Sequence, residues 1–370
     1  MKTDPFPTEL EIDGRTVGGL SPCYFIAEIG LNHNGSLTIA KKLIDAAAEA
    51  GASAVKFQKR DVNSLAIGSV LDAEDGRFPE FGSTYRAIRE HHEFDEDGYR
   101  QLSLYAQERN LTFLCTPFDL ESLRFLERID LPAYKIASHS VTNLPLLEGV
   151  ADTGKPVIMS SGMCTWDELD RAVDVMRAGG IPLALMHCVS SYPQPDEESN
   201  LGLIGALRDR YRIPVGYSGH ELDYLATLVA VGLGASMVER HITLNSGMTG
   251  FDHKLSVEPE TLIELLRNIR RVESMKLSTE KRVSEQEMKT RVKYHVSIVS
   301  ECDISPGETI TREMLTLKNP GSGLPATAFP NVIGGRAKVA IPADSLLSFK
   351  DLEGDEHIDN SGGNVKRVRA

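Results

Sequence analysis

From Tyr24 to Leu244, short apolar runs rich in strand-forming residues alternate with amphipathic segments, and this rhythm restricts the fold more than any other feature. The strand candidates are YFIAEIG, AVKFQ, TFLCTP, AYKIAS, VIMSSG, ALMHCVS, PVGYSGH and MVERHITL. Between them lie segments such as SLTIAKKLIDAAAEAGA and TWDELDRAVDVMRAGG, and EPETLIELLRNIRRVESM follows the last strand. Their apolar residues recur at three-to-four spacing, several open on Ser, Asp or Thr, and several close on Gly, as helices do. Strands alternating with helices predict parallel βαβ units. Eight such units over about 250 residues match an α/β (β/α)8 TIM barrel. A doubly wound open sheet is the competing arrangement, but no Gly-rich dinucleotide loop follows the first strand.

The flanks read differently. ELEIDGRTVGG predicts a hairpin with an Asp-Gly turn, placed as a lid on the barrel bottom. The insert RDVNSLAIGSVLDAEDGRFPEFGSTYRAIREHHEF is too long for a routine connection and is expected to cover one rim. The barrel domain is therefore assigned to residues 1–275, a charged linker to 276–292 and a small β-rich domain with Pro/Gly turns to 293–353. The polar tail, 354–370, is expected to be disordered.

Bulk properties narrow the function. A net charge of −13 argues against nucleic-acid and membrane partners, so any anionic ligand needs locally concentrated cations. Five cysteines at irregular spacing, no apolar run of membrane-spanning length and a beginning unlike a signal peptide predict a cytoplasmic protein. Cys115 and Cys188 lie in apolar strand runs and read as core residues.

Barrel active sites sit at the C-terminal strand ends, where alternate side chains point inward. Polar residues gather there: Glu28, then Lys56 and Gln58, Thr116, Lys135 and Ser138, Ser160, Ser190, Ser218 and His220. Glu239 and His241 share one face of the eighth strand, while Arg240 should turn toward the surrounding helices. A lone strand lysine is usually a paired structural residue, since an isolated buried charge costs several kcal/mol. Eight strands that all deliver polar groups to one rim are better explained by a site. Two lysines among hydroxyls suit a phosphorylated carboxylate. His220 and His241 fit one divalent ion with open positions, suiting manganese, cobalt or magnesium-like chemistry better than a closed zinc site. Two histidines alone are a weak metal signal, and hydrogen-bonded core imidazoles are the commoner reason for such a pair. His33 reads as a loop residue with a structural role, and His187 as facing the barrel wall.

In order and spacing, FIAEIGLNHNG, AVKFQ, TPFDLES, YKIAS, SSGM, HCVSSYP, GYSGH and VERHITL resemble the sialic acid synthase family. The later β-rich segment is similar to that family's antifreeze-like (SAF) domain. The resemblance implies condensation of phosphoenolpyruvate with an open-chain N-acylated hexose such as N-acetylmannosamine, with release of phosphate. It implies phosphoenolpyruvate contacts at Lys56, Thr116, Lys135, Ser138, Ser160, Ser190 and Ser218, and metal ligands at His220 and His241. It further implies sugar contacts at Gln58, Tyr192 and Asp252, essential acids at Glu28 and Glu239, a manganese-type cofactor and a domain-swapped homodimer. Two positions depart from the bacterial pattern: His139 and Ser140 stand where Gly-Glu is common, and Asn319 stands where an Arg reaches the sugar. Asn cannot replace a charged five-donor fork, so Asn319 marks an altered sugar contact. Acceptors of legionaminic or pseudaminic type, or a plain or phosphorylated hexose, therefore stay open. Rival chemistries are a sister synthase making a shorter keto sugar acid, a Schiff-base aldolase using Lys135 or Lys56, and a non-catalytic sugar-binding barrel.

Overall fold

In the computed structural model, which describes residues 7–275, 278 and 280–354, the first strands β1 (Glu9–Ile12) and β2 (Arg15–Gly18) form the expected antiparallel hairpin. Asp13 and Gly14 turn it with φ of 52° and 71°, the left-handed pair a tight hairpin needs. The chain divides into two compact units, Met1–Leu277 and Ser278–Ala370.

In the first unit, eight parallel strands close into a barrel: β3 (Tyr24–Gly30), β4 (Ala54–Lys59), β5 (Thr112–Pro117), β6 (Tyr134–Ile136), β7 (Val157–Ser160), β8 (Leu183–Cys188), β9 (Val215–Gly219) and β10 (Met237–His241). They pair in chain order, and β10 closes onto β3. The helices between them begin where the side chains dictate. Ser36, Asp95, Asp119, Asn143 and Thr165 each accept a backbone N–H of the first turn, and Glu168 completes a capping box with Thr165.

Alternation along the strands sorts the side chains. Outward residues such as Phe25, Val55, Phe113 and Leu185 join the helices in one core. Inward residues at the strand beginnings, among them Ile26, Ala54, Leu114, Ile158 and Met186, form a second core with Leu10, Ile12 and Val17 of the hairpin. The hairpin therefore plugs the barrel bottom, each buried aliphatic contributing about 1.5–3 kcal/mol. With that end sealed by carbon, polar chemistry is confined to the other.

The insert after β4 carries short helices at Val62–Leu65, Gly68–Leu71 and Tyr85–His91. In the second unit, β11 (Ser297–Ser300) pairs antiparallel with β12 (Leu315–Lys318) over a core including Ile298, Ile304, Ile310, Val332 and Leu347. The stretch read as a linker contains a helix, Glu285–Tyr294, closed at its start by a Ser284–Glu287 capping box. None of its residues is buried, so no apolar face announced it. The tail from residue 355 lies outside the described residues.

Candidate active site

The upper half of the barrel is a cavity lined by Glu28, Lys56, Gln58, Thr116, Lys135, Ser138, Ser160, Ser190, Tyr192, Ser218, His220, Glu239, His241 and Asp252. Every barrel residue assigned to the site from the sequence is thus in one lining. Asn319 is not in this lining; it is a residue of the second unit, where it borders a groove with Leu317, Lys318 and Leu346.

Two ammonium groups meet at one carboxylate. Lys56 Nζ lies 2.7 Å from Glu28 Oε2 and 3.6 Å from Glu239 Oε1, and Lys135 Nζ is 3.9 Å from the same Glu239 oxygen. Lys56 also donates to Thr116 Oγ1 at 3.0 Å, and Lys135 donates to Ser160 Oγ at 2.5 Å and to Ile136 O at 3.1 Å. All of these side chains are buried. Burial opposes the charge on Glu239, yet Lys135 and Lys56 together hold its carboxyl below the usual range. The two lysines differ. Burial pushes Lys135 down, with Glu239 offsetting part of it, whereas for Lys56 the two glutamates outweigh burial and push it up.

Small residues let the backbone come close. A Cβ on Gly30, at φ 54°, would lie 3.0 Å from Glu28 Oε1 and 3.2 Å from Gln58 Nε2. A Cβ on Gly162 would lie 2.5 Å from Ser190 Oγ and 2.8 Å from Ser138 Oγ, and the Gly162 N–H donates to Ser138 Oγ at 3.0 Å. Hydroxyls and a backbone donor thus converge beside the lysines, as an anion receptor requires.

The imidazoles of His220 and His241 lie 5.7 Å apart between ring centroids. The His220 Nδ1–H donates to Val189 O at 2.9 Å, which leaves its Nε2 lone pair free. His241 Nδ1 is buried without a hydrogen-bond partner and lies 3.9 Å from Asp252 Oδ2. Among the described residues, no cluster of three or more His, Cys, Asp or Glu side chains is arranged to hold an ion alone. Two imidazole donors with a nearby carboxylate fit an open site, where small molecules supply the other ligands. Tyr192 packs its ring 4.1 Å from that of His220.

The neighbours on β8 and β10 point away, as alternation requires. Arg240 pairs with Glu221 at 2.6 Å among the helices, and the His187 Nε2–H donates to Ser199 O at 2.7 Å. His33 is buried against Phe57, Phe94 and His92.

With this geometry in hand, known proteins provide the comparison. A model of the NeuB family matches residues 43–281. The chain belongs to the NeuB family. A SAF domain model matches residues 295–353 of this NeuB-family chain. It is 36% identical to the human N-acetylneuraminate-9-phosphate synthase, over 97% of this chain and 99% of that protein. It is 35% identical to the N,N'-diacetyllegionaminic acid synthase of Legionella pneumophila, over 92% of this chain and 99% of that protein. Among solved structures, the N-acetylneuraminic acid synthetase of Leptospira borgpetersenii, crystallised with citrate, superposes with a TM-score of 0.68 at 32% identity. That match covers 78% of this chain and 96% of the other.

The cavity of this NeuB-family chain also holds Arg60, Arg89, Phe118, Met163 and Phe251, which the sequence reading passed over, together with His139 and Cys188. Cys188 was read as core, and it is buried, but it points inward with its Sγ 3.9 Å from His220 Nδ1. The alternation Ala184, Met186, Cys188 already carried that signal. Cys115, by contrast, faces the helices in the main core. Arg60 opens the long insert at the parity of Lys56 and Gln58, and Arg89 lies on the insert's short helix Tyr85–His91.

Proposed function

We propose that this chain is a phosphoenolpyruvate-condensing synthase of nonulosonic acids, joining phosphoenolpyruvate to an open-chain N-acylated hexose such as N-acetylmannosamine. The observation that carries the reading is the convergence of Lys56 and Lys135 on Glu239, which sits two residues from His241 on the same inward face of β10. Thr116, Ser160, Ser138, Ser190 and Ser218 surround the lysines with hydroxyls suited to a phosphoester. Gln58, Tyr192 and Asp252 line the sugar side.

His220 and His241 would hold a divalent ion, manganese best suiting two nitrogens with oxygen ligands. When bound, the ion supplies Lewis acidity to polarise the sugar aldehyde. The remaining work falls to the chain. The lysines and hydroxyls fix phosphoenolpyruvate so that its methylene carbon faces the aldehyde carbon. As the carbon–carbon bond forms, positive charge develops on the carbon bearing phosphate, and Glu28 and Glu239 stabilise it. Water adds there, and one of these carboxylates takes its proton and passes it to the former aldehyde oxygen, which becomes a hydroxyl. Collapse breaks the carbon–oxygen bond, releasing inorganic phosphate and a nine-carbon 2-keto acid.

Membership of the NeuB family disfavours a Schiff-base aldolase, and because burial pushes Lys135 down as such a nucleophile needs, the check is direct: borohydride with pyruvate should trap no adduct on the chain. Diacylated trideoxyhexoses, giving legionaminic- or pseudaminic-type products, fit the same reading, supported by the likeness to the Legionella synthase. The proposal also carries a homodimer, measurable by sedimentation, and a reducing cytoplasmic setting, supported by the thiols of Cys115, Cys164, Cys188 and Cys302, which form no disulfide. No helix among the described residues is long and apolar enough to cross a membrane. The test is a panel of hexosamines with phosphoenolpyruvate, scored by phosphate release and product mass. Retention of the bridging oxygen of labelled phosphoenolpyruvate on the keto acid would exclude carbon–oxygen cleavage.

A further inference from the structure

The cavity holds four cationic side chains besides its imidazoles, but only two have carboxylate partners. Its lining carboxylates are Glu28, Glu239 and Asp252. Glu28 and Glu239 face Lys56 and Lys135, and Asp252 lies beside His241. Arg60 and Arg89 are left over. Among the described residues, neither guanidinium has a carboxylate oxygen within 4.0 Å. Glu93, the acid next to Arg60, is engaged by Lys59 Nζ at 2.6 Å and by the Arg60 backbone N–H at 3.2 Å.

Arg60 is only 6% exposed. Its guanidinium stacks 3.6 Å from the Phe118 ring and gives one bond, to Gln58 Oε1 at 2.5 Å, while its NH1 is buried with no partner. Arg89 stacks 4.2 Å from Phe251, and its Nε is likewise buried and unpartnered. Stacking satisfies a guanidinium's faces and leaves its N–H edges unpaired. Burial first, and then the nearby charge of Arg89, push Arg60 down to about 10. Two neighbouring like charges, one buried and one partly buried, each short of acceptors, are what a bound dianion relieves.

Position completes the case. Lys56, Gln58 and Arg60 follow one another at alternate positions of β4 and its exit, climbing from the barrel interior to its mouth. At about 3.3 Å per residue, Arg60 stands roughly 13 Å along the chain from Lys56. The arginines therefore form a cationic pole distinct from the lysine pole, with the imidazoles and Gln58 in the same cavity. We propose that Arg60 and Arg89 form a second anion subsite that binds a phosphate monoester on the acceptor sugar, so that the preferred acceptor is a phosphorylated hexosamine. This rests on the condensing reading above. A phosphate, carrying close to two charges, matches two guanidiniums, and each fork can engage two of its oxygens.

The test compares kcat/KM of the full chain, supplied with manganese chloride and phosphoenolpyruvate, for N-acetylmannosamine and for N-acetylmannosamine 6-phosphate. The phosphorylated sugar is expected to be preferred about 100-fold or more, and Arg60→Gln and Arg89→Gln each to lower that ratio at least about tenfold. A merely structural arginine would depress both sugars together and leave the ratio unchanged. An unchanged ratio in both variants, or a ratio near unity in the parent, overturns the subsite. Product from the plain sugar alone removes the subsite and keeps the condensing reading, whereas no product from any hexosamine removes both. If Arg60→Gln does not fold, Arg89→Gln carries the test, because Arg89 is only partly buried.

Discussion

Lys56 Nζ lies 2.7 Å from Glu28 Oε2, and neither residue is more than 3% exposed. A buried ion pair is weak evidence for stability, because desolvation consumes most of the attraction. Its presence in a barrel whose other end is closed mainly by apolar side chains points to function. Lys56→Met would leave Glu28 and Glu239 short of a counter-charge, so two losses are expected together. Stability should fall by about 3–5 kcal/mol in urea unfolding, and phosphoenolpyruvate affinity by calorimetry should fall at least about 100-fold. Glu28→Gln should instead retain the ligand and lose about 10²–10⁴ in kcat. Full phosphoenolpyruvate affinity in Lys56→Met would contradict the assignment of the anion pole.

His220 and His241 yield a second prediction. Since no third protein ligand is arranged beside them among the described residues, removal of either imidazole should abolish ion binding rather than weaken it slightly. Titration of manganese into His220→Ala and His241→Ala is expected to show no saturable site. The parent should lose activity to a chelator and regain it with manganese. Activity that survives exhaustive chelation would exclude a role for the imidazoles as ligands.

These residues were legible before any coordinates because a strand alternates its side chains. Once Glu239 and His241 are placed inward, Arg240 must point outward, and the same parity places Lys56 with Gln58. The barrel was legible for a related reason: eight apolar strands with capped helices have few ways to close. The Asp13–Gly14 turn announced the hairpin through its backbone preference. Arg60 extends the period-two row of Lys56 and Gln58 just past the end of β4, whereas Arg89 was illegible because its helix, Tyr85–His91, is too short to announce a face. The helix Glu285–Tyr294 was missed for want of an apolar face, although its Ser284 and Glu287 spell a capping box. Cys188 was misread by composition, since its apolar neighbours suggested core while its parity pointed to the cavity.

Arg240 provides a stability prediction separate from binding. Its guanidinium reaches Glu221 Oε1 at 2.6 Å, Asp223 O at 2.7 Å and Thr227 Oγ1 at 3.0 Å, tying β10 to the loop and helix that follow β9. Arg240→Leu strands Glu221 in the core and should cost about 3–5 kcal/mol. Adding Glu221→Leu should restore part of the loss, since the unpaired charge is then gone. Urea unfolding of the two single variants and the double measures the coupling, and strictly additive losses would mean that the pair does not act as one unit.

Acid should loosen the fold through two buried imidazoles on the insert side of the barrel. Burial pushes His33 down to about 3 and His92 down to about 4, so both are neutral in the folded chain at pH 6. His33 Nδ1 accepts the Gly35 N–H at 3.1 Å, and the His92 Nδ1–H donates to Ile88 O at 2.7 Å, bonds that suit neutral rings. In the unfolded chain both titrate near 6.5, so below that pH the unfolded state binds more protons. The stabilisation is complete above pH 6.5 and is lost as pH falls from there toward 4 and 3. By pH 5 each ring should have withdrawn about 2 kcal/mol. Carboxylates with ordinary values stay ionised between pH 5 and 6.5, which makes this window report on histidines. Urea midpoints measured across it should drop in the parent and drop less in His33→Gln and His92→Gln. A slope identical in all three proteins would mean that these rings accept protons without unfolding, and that burial does not hold them neutral.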